Sequence, residues 1–193
     1  MSLLKRMTAF SLVALACLSC LRAEETLPLK LPGTDSADHT PLSVPAGKKG
    51  VVLFFVSAYC PASNNFVPEM NRIAADYRDS FQFYFVHSDK DLKPADVLQH
   101  TELNTIKATV LMDAEQKLAK REHAKTTPEA VVAGPDGRTL YQGRVNDLYL
   151  TPTKRQRTPT TKDLREALDA IKTGKAPSAN SSPAVGCRIT GVE

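Results

Sequence analysis

Two of the four cysteines in this sequence, Cys60 and Cys187, stand outside an N-terminal apolar run and could carry thiol chemistry. A thiolate is a nucleophile and a metal ligand, and two thiols can be oxidised to a disulfide. Cys17 and Cys20 lie within the apolar run, so the rest of the chain has too few thiols for a four-thiolate metal site. In an exported protein, two remaining cysteines favour a disulfide between them.

The residues around Cys60 indicate why its thiol would be reactive. Cys60 follows the continuous apolar run 51–56, which is typical of a buried strand, and Cys60-Pro61 opens a segment with helical spacing. A helix N-terminus carries partial positive charge and free N–H groups, and both stabilise a thiolate. Pro61 fits the first helical position because its missing N–H would have had no helical partner. The alternative is a buried, inert cysteine at the end of a strand.

The rest of the sequence alternates between strand-like and helix-like segments. Apolar spacing after Cys60 predicts a helix that ends at Asp79-Ser80, with Asn64 or Asn65 as its N-cap. The other predicted helices are 94–103, 114–122 and 162–172, the last capped by Thr160 or Thr161, and the predicted strands are 29–31, 51–56, 81–86, 109–112, 130–133 and 139–143. Right-handed crossovers followed by an antiparallel hairpin predict an α/β domain with a central mixed sheet flanked by helices.

Four motifs, in this order along the chain, resemble those of the thioredoxin superfamily. They are Cys60-Pro61-Ala62-Ser63-Asn64, Thr127-Pro128-Glu129, Gly143-Arg144-Val145-Asn146-Asp147 and Val185-Gly186-Cys187. More narrowly, residues 27–189 are similar to exported bacterial redoxins of the AhpC/TSA-like type. The resemblance implies a thioredoxin-like fold. It also implies a thiol–disulfide oxidoreductase that acts on protein thiols or disulfides, or on a small thiol or peroxide.

The resemblance gives roles to individual residues. Cys60 would be the nucleophile. In thioredoxin-like folds a cis proline before a strand of the last hairpin faces the active cysteine, and Pro128 matches it. Such a bond is uncommon and would mark a constrained site that presents the Thr127 backbone to a partner strand. The predicted substrate-binding residues are Pro61, Ser63, Thr127 and Pro128. The alternative for Pro128 is an ordinary trans proline at a strand start.

The sequence also departs from the patterns of this family. Ser63 stands where a Cys-x-x-Cys pair has its second cysteine, so Cys60 cannot form a disulfide with a close neighbour. A peroxiredoxin site resembles Pro-x-x-x-Thr-x-x-Cys. Ser57 can stand for its threonine, but Leu53 occupies the position of its proline, which puts peroxidase activity in doubt.

Cys187 lies beyond a stretch rich in proline, serine and alanine, so we predict that residues 176–193 form a flexible tail. Such a tail could return Cys187 to Cys60, because loop closure costs only slowly more with each added residue. Two hypotheses remain. In the first, Cys187 is a catalytic resolving thiol that releases the product as a Cys60–Cys187 disulfide. In the second, a permanent disulfide pins the tail to a redoxin-like module that binds a partner without catalysis.

Residues 1–23 are typical of a cleavable signal peptide. Lys5-Arg6 precedes the apolar run 7–20, which is too short to span a bilayer comfortably, and Ala23 offers a cleavage site. The mature domain, residues 24–175, would then be periplasmic or secreted. The alternative is a lipoprotein anchored through Cys17 or Cys20, which would place the protein at a membrane.

The charge of the mature chain gives no reason to expect a nucleic-acid partner. Loss of Lys5, Arg6 and Arg22 takes the basic residues from 25 to 22 against 21 acidic ones, so the formal net charge falls from +4 to +1.

No cofactor motif is present in the sequence, and we expect no cofactor and no metal. Copper binding by Cys60 together with His87, His100 or His123 is one hypothesis. The Cys-x-x-x-Cys motif of exported thioredoxin-like copper chaperones is missing, however, so each histidine is expected to lie at the surface or to be hydrogen-bonded.

Overall fold

The strand β3 (Gly50–Val56) is the middle of the fold in a computed structural model that describes residues 28–178 and 182–192. All seven residues of β3 are buried. Its β-branched and aromatic side chains suit a strand that is covered on both faces. β3 pairs in parallel with β4 (Phe81–His87) and antiparallel with β7 (Glu129–Ala133). The buried central strand predicted from the apolar run is therefore confirmed.

The central sheet has five strands in the order β5-β4-β3-β7-β8, where β5 is Thr109–Met112 and β8 is Thr139–Gly143. β4 and β5 are parallel, whereas β7 and β8 form an antiparallel hairpin. This arrangement confirms the prediction of a mixed sheet in which the last two strands form an antiparallel hairpin.

Helices and short strands complete the fold. The helices are α1 (Pro61–Tyr77), α2 (Pro94–Leu103), α3 (Lys117–Arg121) and α4 (Asp163–Lys172). Three antiparallel pairs of short strands lie outside the central sheet: β1 (Leu31–Pro32) with β2 (Asp38–His39), β6 (Thr126–Thr127) with β11 (Cys187–Arg188), and β9 (Tyr149–Thr151) with β10 (Lys154–Arg155). Within the described residues, no helix combines the length and apolar character needed to cross a bilayer.

Each face of the sheet is covered by its own hydrophobic cluster. On one face, Phe54 packs in a cluster with residues of α1, α2 and α4. On the other face, Phe55 packs with α3 and with Ile189 and Val192 of the C-terminal segment. Val185 and Cys187 pack against the first cluster, so the C-terminal segment contributes to both faces.

The N-cap of α1 and the first residue of α3 both differ from the prediction. Cys60, with φ −95° and ψ 110°, is the N-cap of α1, so Asn64 and Asn65 lie inside the helix. The predicted asparagine caps were wrong because Pro61 already fixes the first helical turn. Gln116 has a φ of 59°, and a residue in this left-handed conformation cannot continue a right-handed helix, so α3 starts at Lys117.

The predicted cap of α4 was also wrong, since Lys162 takes the N-cap position. The backbone N–H groups of Thr160 and Thr161 instead donate to Asp147 Oδ1 at 2.6 and 2.9 Å. Burial raises the pKa of Asp147, but a hydrogen bond from the Thr160 hydroxyl, together with these backbone bonds, outweighs it and holds the pKa well below its usual range. Asp147 thus fixes the loop that leads into α4.

We expect Phe54→Ala to destabilise the fold by about 3–5 kcal/mol, because the substitution leaves a cavity at the centre of the core. Phe54 has no exposed surface, and its ring centroid lies 5.9 Å from that of Phe83 and 5.1 Å from that of Phe85. Urea unfolding followed by circular dichroism measures the change. Leu103→Ala, at a side chain that is 76% exposed, is the control and should change stability by less than about 0.5 kcal/mol.

Candidate active site

A disulfide joins Cys60 and Cys187, which are 127 residues apart in the sequence and have Cα atoms 6.0 Å apart. The predicted bond between the two cysteines is therefore present. Cys60 is buried, with 1% of its surface exposed, and Cys187 is partly exposed. An attacking thiol would therefore meet the bond from the side of Cys187.

Cys60 is the N-cap of α1, so the helix starts at Cys60-Pro61, where the segment with helical spacing opens. Asn64 N donates to Cys60 O at 3.1 Å, which closes the first turn, and Pro61 follows Cys60 at the first helical position. No acidic residue lies in that first turn to offset the partial positive charge of the helix end. This end of the 17-residue helix favours a thiolate on a reduced Cys60.

A backbone carbonyl has the opposite effect on Cys60. The Cys60 Sγ lies 3.2 Å from the carbonyl oxygen of Thr127. A reduced thiol can donate a hydrogen bond to this oxygen, whereas a thiolate cannot, so the contact favours the protonated form. Low exposure of the sulfur acts in the same direction. The helix end and the surroundings of the sulfur therefore act on Cys60 in opposite directions.

Ser63, which occupies the place of a second local cysteine, is fully buried and supports the turn before α1. Ser57 N donates to Ser63 Oγ at 3.3 Å, and Tyr59 N donates to Ser57 Oγ at 3.3 Å. The two hydroxyl groups thus accept the N–H groups of the loop that carries Cys60. Ser63 has a visible structural role, and its predicted contact with substrate stays a prediction.

The Thr127–Pro128 peptide bond is cis, as the resemblance implied. Thr127 lies in β6, where it pairs with Cys187 of β11 and directs its carbonyl oxygen toward Cys60. The fold thus brings Cys60, Cys187 and Thr127 together and sets Pro128 beside them. The substrate-binding roles of Pro61, Ser63, Thr127 and Pro128 stay predictions.

The carboxylate of Glu129, which the sequence analysis placed in a motif but gave no role, holds β6 in place. Its Oε2 accepts hydrogen bonds from Lys125 N at 2.9 Å and Thr126 N at 3.1 Å, and its Oε1 accepts one from Gln142 Nε2 at 2.9 Å. Since Glu129 belongs to the central sheet, β6 is tied to the most buried part of the fold. A charged residue directly before the apolar run 130–133 was the available sequence signal.

The end of the C-terminal segment packs against the domain. Ile189 and Val192 are buried, and Ile189 N donates to Lys125 O at 2.9 Å. Gln116 Nε2 donates to the carbonyl oxygens of Ser88 and Thr190, at 2.9 and 2.8 Å. The flexibility of residues 176–193 and the domain boundaries at 24 and 175 stay predictions. In the described part of that segment, these contacts hold residues 189–192 independently of the disulfide.

Two buried histidines lie behind the Cys60 turn. The rings of His87 and His100 are 5.0 Å apart, and His100 Nε2 shares a hydrogen bond of 2.9 Å with Asn64 Oδ1. Asn64 Nδ2 donates to Ala58 O at 3.3 Å, which links the pair to the turn. Neither nitrogen of His87 has a hydrogen-bond partner among residues 28–178 and 182–192, so the expectation of a surface or satisfied histidine was wrong for His87.

The environment of these rings suppresses protonation and gives no metal site. Burial, and then the proximity of His100, lowers the pKa of His87 to about 3, and burial also lowers the pKa of His100. Within the part of the chain that the structure describes, no group of three or more His, Cys, Asp or Glu side chains could hold a metal ion. The hypothesis of a copper site with Cys60 therefore gains no support. His123 is exposed, as expected.

Comparison with known proteins agrees with this geometry. Residues 47–139 match a family model described as thioredoxin-like, and that region includes the central strand and Cys60. The chain has a thioredoxin-like fold. No curated protein matches its sequence significantly.

Solved structures share the thioredoxin-like fold of this chain at low sequence identity. An uncharacterized conserved protein from Geobacillus kaustophilus has a TM-score of 0.71 and 24% identity, over 84% of this chain and 87% of that one. A hypothetical protein from Sinorhizobium meliloti 1021 has a TM-score of 0.72 and 24% identity, over 83% and 89%. A secreted Mycobacterium tuberculosis disulfide oxidoreductase homologous to E. coli DsbE has a TM-score of 0.55 and 19% identity, over 79% and 99%. At these identities the likeness shows the fold alone.

We expect acid to destabilise this protein through His87. Because its folded pKa of about 3 lies below the ordinary 6.5, the unfolded state binds more protons between these pH values. Stability is then lost as the pH falls from 6.5 toward 3, by up to about 1.4 kcal/mol per pH unit for this one group. Urea unfolding at a series of pH values should show a shallower loss for His87→Gln. His123→Asn is the exposed control and should keep the wild-type slope. Equal slopes for His87→Gln and the wild type would contradict this assignment.

Proposed function

We propose that this chain is an exported thiol–disulfide oxidoreductase in which Cys60 is the nucleophile and Cys187 is the resolving thiol. The observation that carries the proposal is the Cys60–Cys187 bond at the N-terminus of α1, beside the backbone of Thr127. A helix end supports thiolate chemistry, and the second thiol supplies the partner that Ser63 cannot. The signal sequence predicted for residues 1–23, which lie outside the described residues, supports export.

The reaction exchanges disulfides between the chain and its substrate. The Cys60 thiolate attacks one sulfur of a substrate disulfide; a mixed disulfide forms, and the other substrate sulfur leaves as a thiolate that takes a proton. The Cys187 thiolate then attacks the Cys60 Sγ and releases the first substrate sulfur. Two electrons have passed to the substrate, and the chain holds the Cys60–Cys187 disulfide. A dithiol reductant returns the pair to its reduced form.

The second candidate is a binding module in which the same disulfide is only structural. The burial of Cys60, with 1% exposed, favours it, because buried cysteines are usually inert. In that case the bond would stabilise the fold by restricting the unfolded chain, by about 4 kcal/mol for a long loop. The two candidates differ in what Cys60 does once Cys187 has been removed.

Three proteins separate the candidates in an assay of dithiothreitol-driven reduction of a disulfide-bonded peptide. We expect the wild type to turn over and Cys60→Ser to remain at the uncatalysed rate. Dithiothreitol would itself cleave a mixed disulfide, so reduced Cys187→Ser is first separated from it and then mixed with the peptide. It should react once and accumulate as a mixed disulfide on Cys60, because Ser63 offers no second thiol. Intact-protein mass spectrometry detects that adduct.

The structural alternative predicts a different result for the same variants. Cys187→Ser would lose stability in urea unfolding, and its released Cys60 would form no adduct. Turnover by Cys187→Ser at the wild-type rate would instead show that Cys187 has no redox role.

A further inference from the structure

The short strand β6 offers an edge that a second chain could occupy. Among the described residues, β6 pairs with β11 alone, with Cys187 opposite Thr127 and Arg188 opposite Thr126. If β11 leaves, the backbone N–H and C=O groups on that side of β6 lose their partners. An unpaired strand edge is a template for an extended peptide, which gains affinity from main-chain hydrogen bonds.

Gly186, the residue before Cys187, shows how little space for a side chain there is next to β6. A Cβ at position 186 would lie 2.1 Å from the Thr127 carbonyl oxygen, 2.8 Å from the Thr127 carbonyl carbon and 2.9 Å from Pro128 Cδ. These atoms belong to backbone and to a proline ring, so they cannot rotate away. Gly186 is not among the glycines with positive φ. Space, rather than an unusual backbone conformation, is therefore what requires glycine here.

The family resemblance already implies that the Thr127 backbone is presented to a partner strand. We propose that this strand takes the place of β11, with its cysteine at the position of Cys187, and that Thr127 and Pro128 select glycine directly before that cysteine. This inference rests on the proposed function, since the bound cysteine is the one that Cys60 attacks. The substrates are accordingly proteins with a Gly-Cys sequence in an extended, accessible segment. Arg188 is exposed, so the residue after the cysteine is not selected in the same way.

The anchor at residues 189–192 allows the two strands to exchange at one site. Ile189 and Val192 are buried, and Gln116 holds Thr190, so reduction frees β11 while the end of the segment stays bound. A substrate strand then forms its mixed disulfide with Cys60. When β11 returns, the Cys187 thiolate attacks the Cys60 Sγ, the new disulfide forms, and the substrate sulfur leaves as a thiolate that takes a proton from water. Resolution and product release are thus one event.

Activated peptides test the selectivity on the reduced Cys187→Ser protein. The parent peptide has the sequence of residues 184–189, with its cysteine linked to thionitrobenzoate, and the test peptide has alanine in place of its glycine. We expect the parent to form the mixed disulfide about 5- to 150-fold faster, since forcing a methyl group into a packed contact costs about 1–3 kcal/mol. The control peptide, with glycine in place of its first alanine, should match the parent. Release of thionitrobenzoate gives the rates.

The outcomes separate this inference from the proposed function. Free cysteine linked to thionitrobenzoate is the unselective probe. If it labels Cys60 while the parent and alanine peptides react at equal rates, the selectivity is overturned and the proposed function stands. If no probe labels Cys60, both are overturned. In the protein, Gly186→Ala combined with Cys187→Ser should speed the parent peptide, because the chain's own strand no longer fits β6; no change in rate would contradict strand exchange.

Discussion

The pairing of β11 with β6 is the interaction on which the chemistry of this molecule depends. It sets Cys187 opposite Thr127, while the Thr127 carbonyl oxygen lies 3.2 Å from the sulfur of Cys60. Two residues on each side form this ladder. Such a short ladder contributes little stability alone, so its position must come from the elements around it. Without it, Cys60 would be a buried cysteine at the start of a helix, with no second thiol nearby.

The position of β6 comes from the central sheet. Glu129 accepts hydrogen bonds from the N–H groups of Lys125 and Thr126, and its own strand, β7, pairs with the fully buried β3. The position of β11 comes from Ile189 and Val192, which pack into the cluster on one face of that sheet. Both strands are thus held from outside the site. The opening of the site that the proposed strand exchange requires would therefore leave these anchors in place.

The surroundings of Cys60 have opposing effects on whether its sulfur is a thiol or a thiolate, and the position of β11 affects the balance. The end of α1 favours a thiolate, whereas the Thr127 carbonyl and the lack of solvent favour a thiol. Oxidation removes this conflict because the disulfide carries no charge. In the reduced chain, the proposed displacement of β11 would expose the sulfur. We infer that the arrival of a substrate strand and the activation of Cys60 are coupled in this way.

The sequence predicted the elements whose apolar pattern extends over many residues. The apolar run of β3 and the apolar spacing of α1 are long enough to be read locally, and Cys60-Pro61 gave the start of the helix. The pairing of β6 with β11 could not be predicted, since two-residue strands have no periodicity and their contact spans about 60 residues of chain. The sequence also did not predict that His87 lacks a hydrogen-bond partner among the described residues. The apolar pattern of β4 predicts a strand whether the side chain of its last residue is buried or exposed. Gln116 gave no signal, since its left-handed conformation is rare for glutamine.

The reduction potential of the Cys60–Cys187 bond tests the central claim most directly. The measurement equilibrates the purified protein in dithiothreitol and glutathione redox buffers, traps free thiols by alkylation and counts them by mass. A redox-active pair should titrate between about −270 and −120 mV, the range of catalytic thioredoxin-fold disulfides, whereas structural disulfides lie below about −300 mV. We predict a value within the catalytic range, with both thiols titrating together. A value below about −300 mV would contradict the account and show that the disulfide only stabilises the fold.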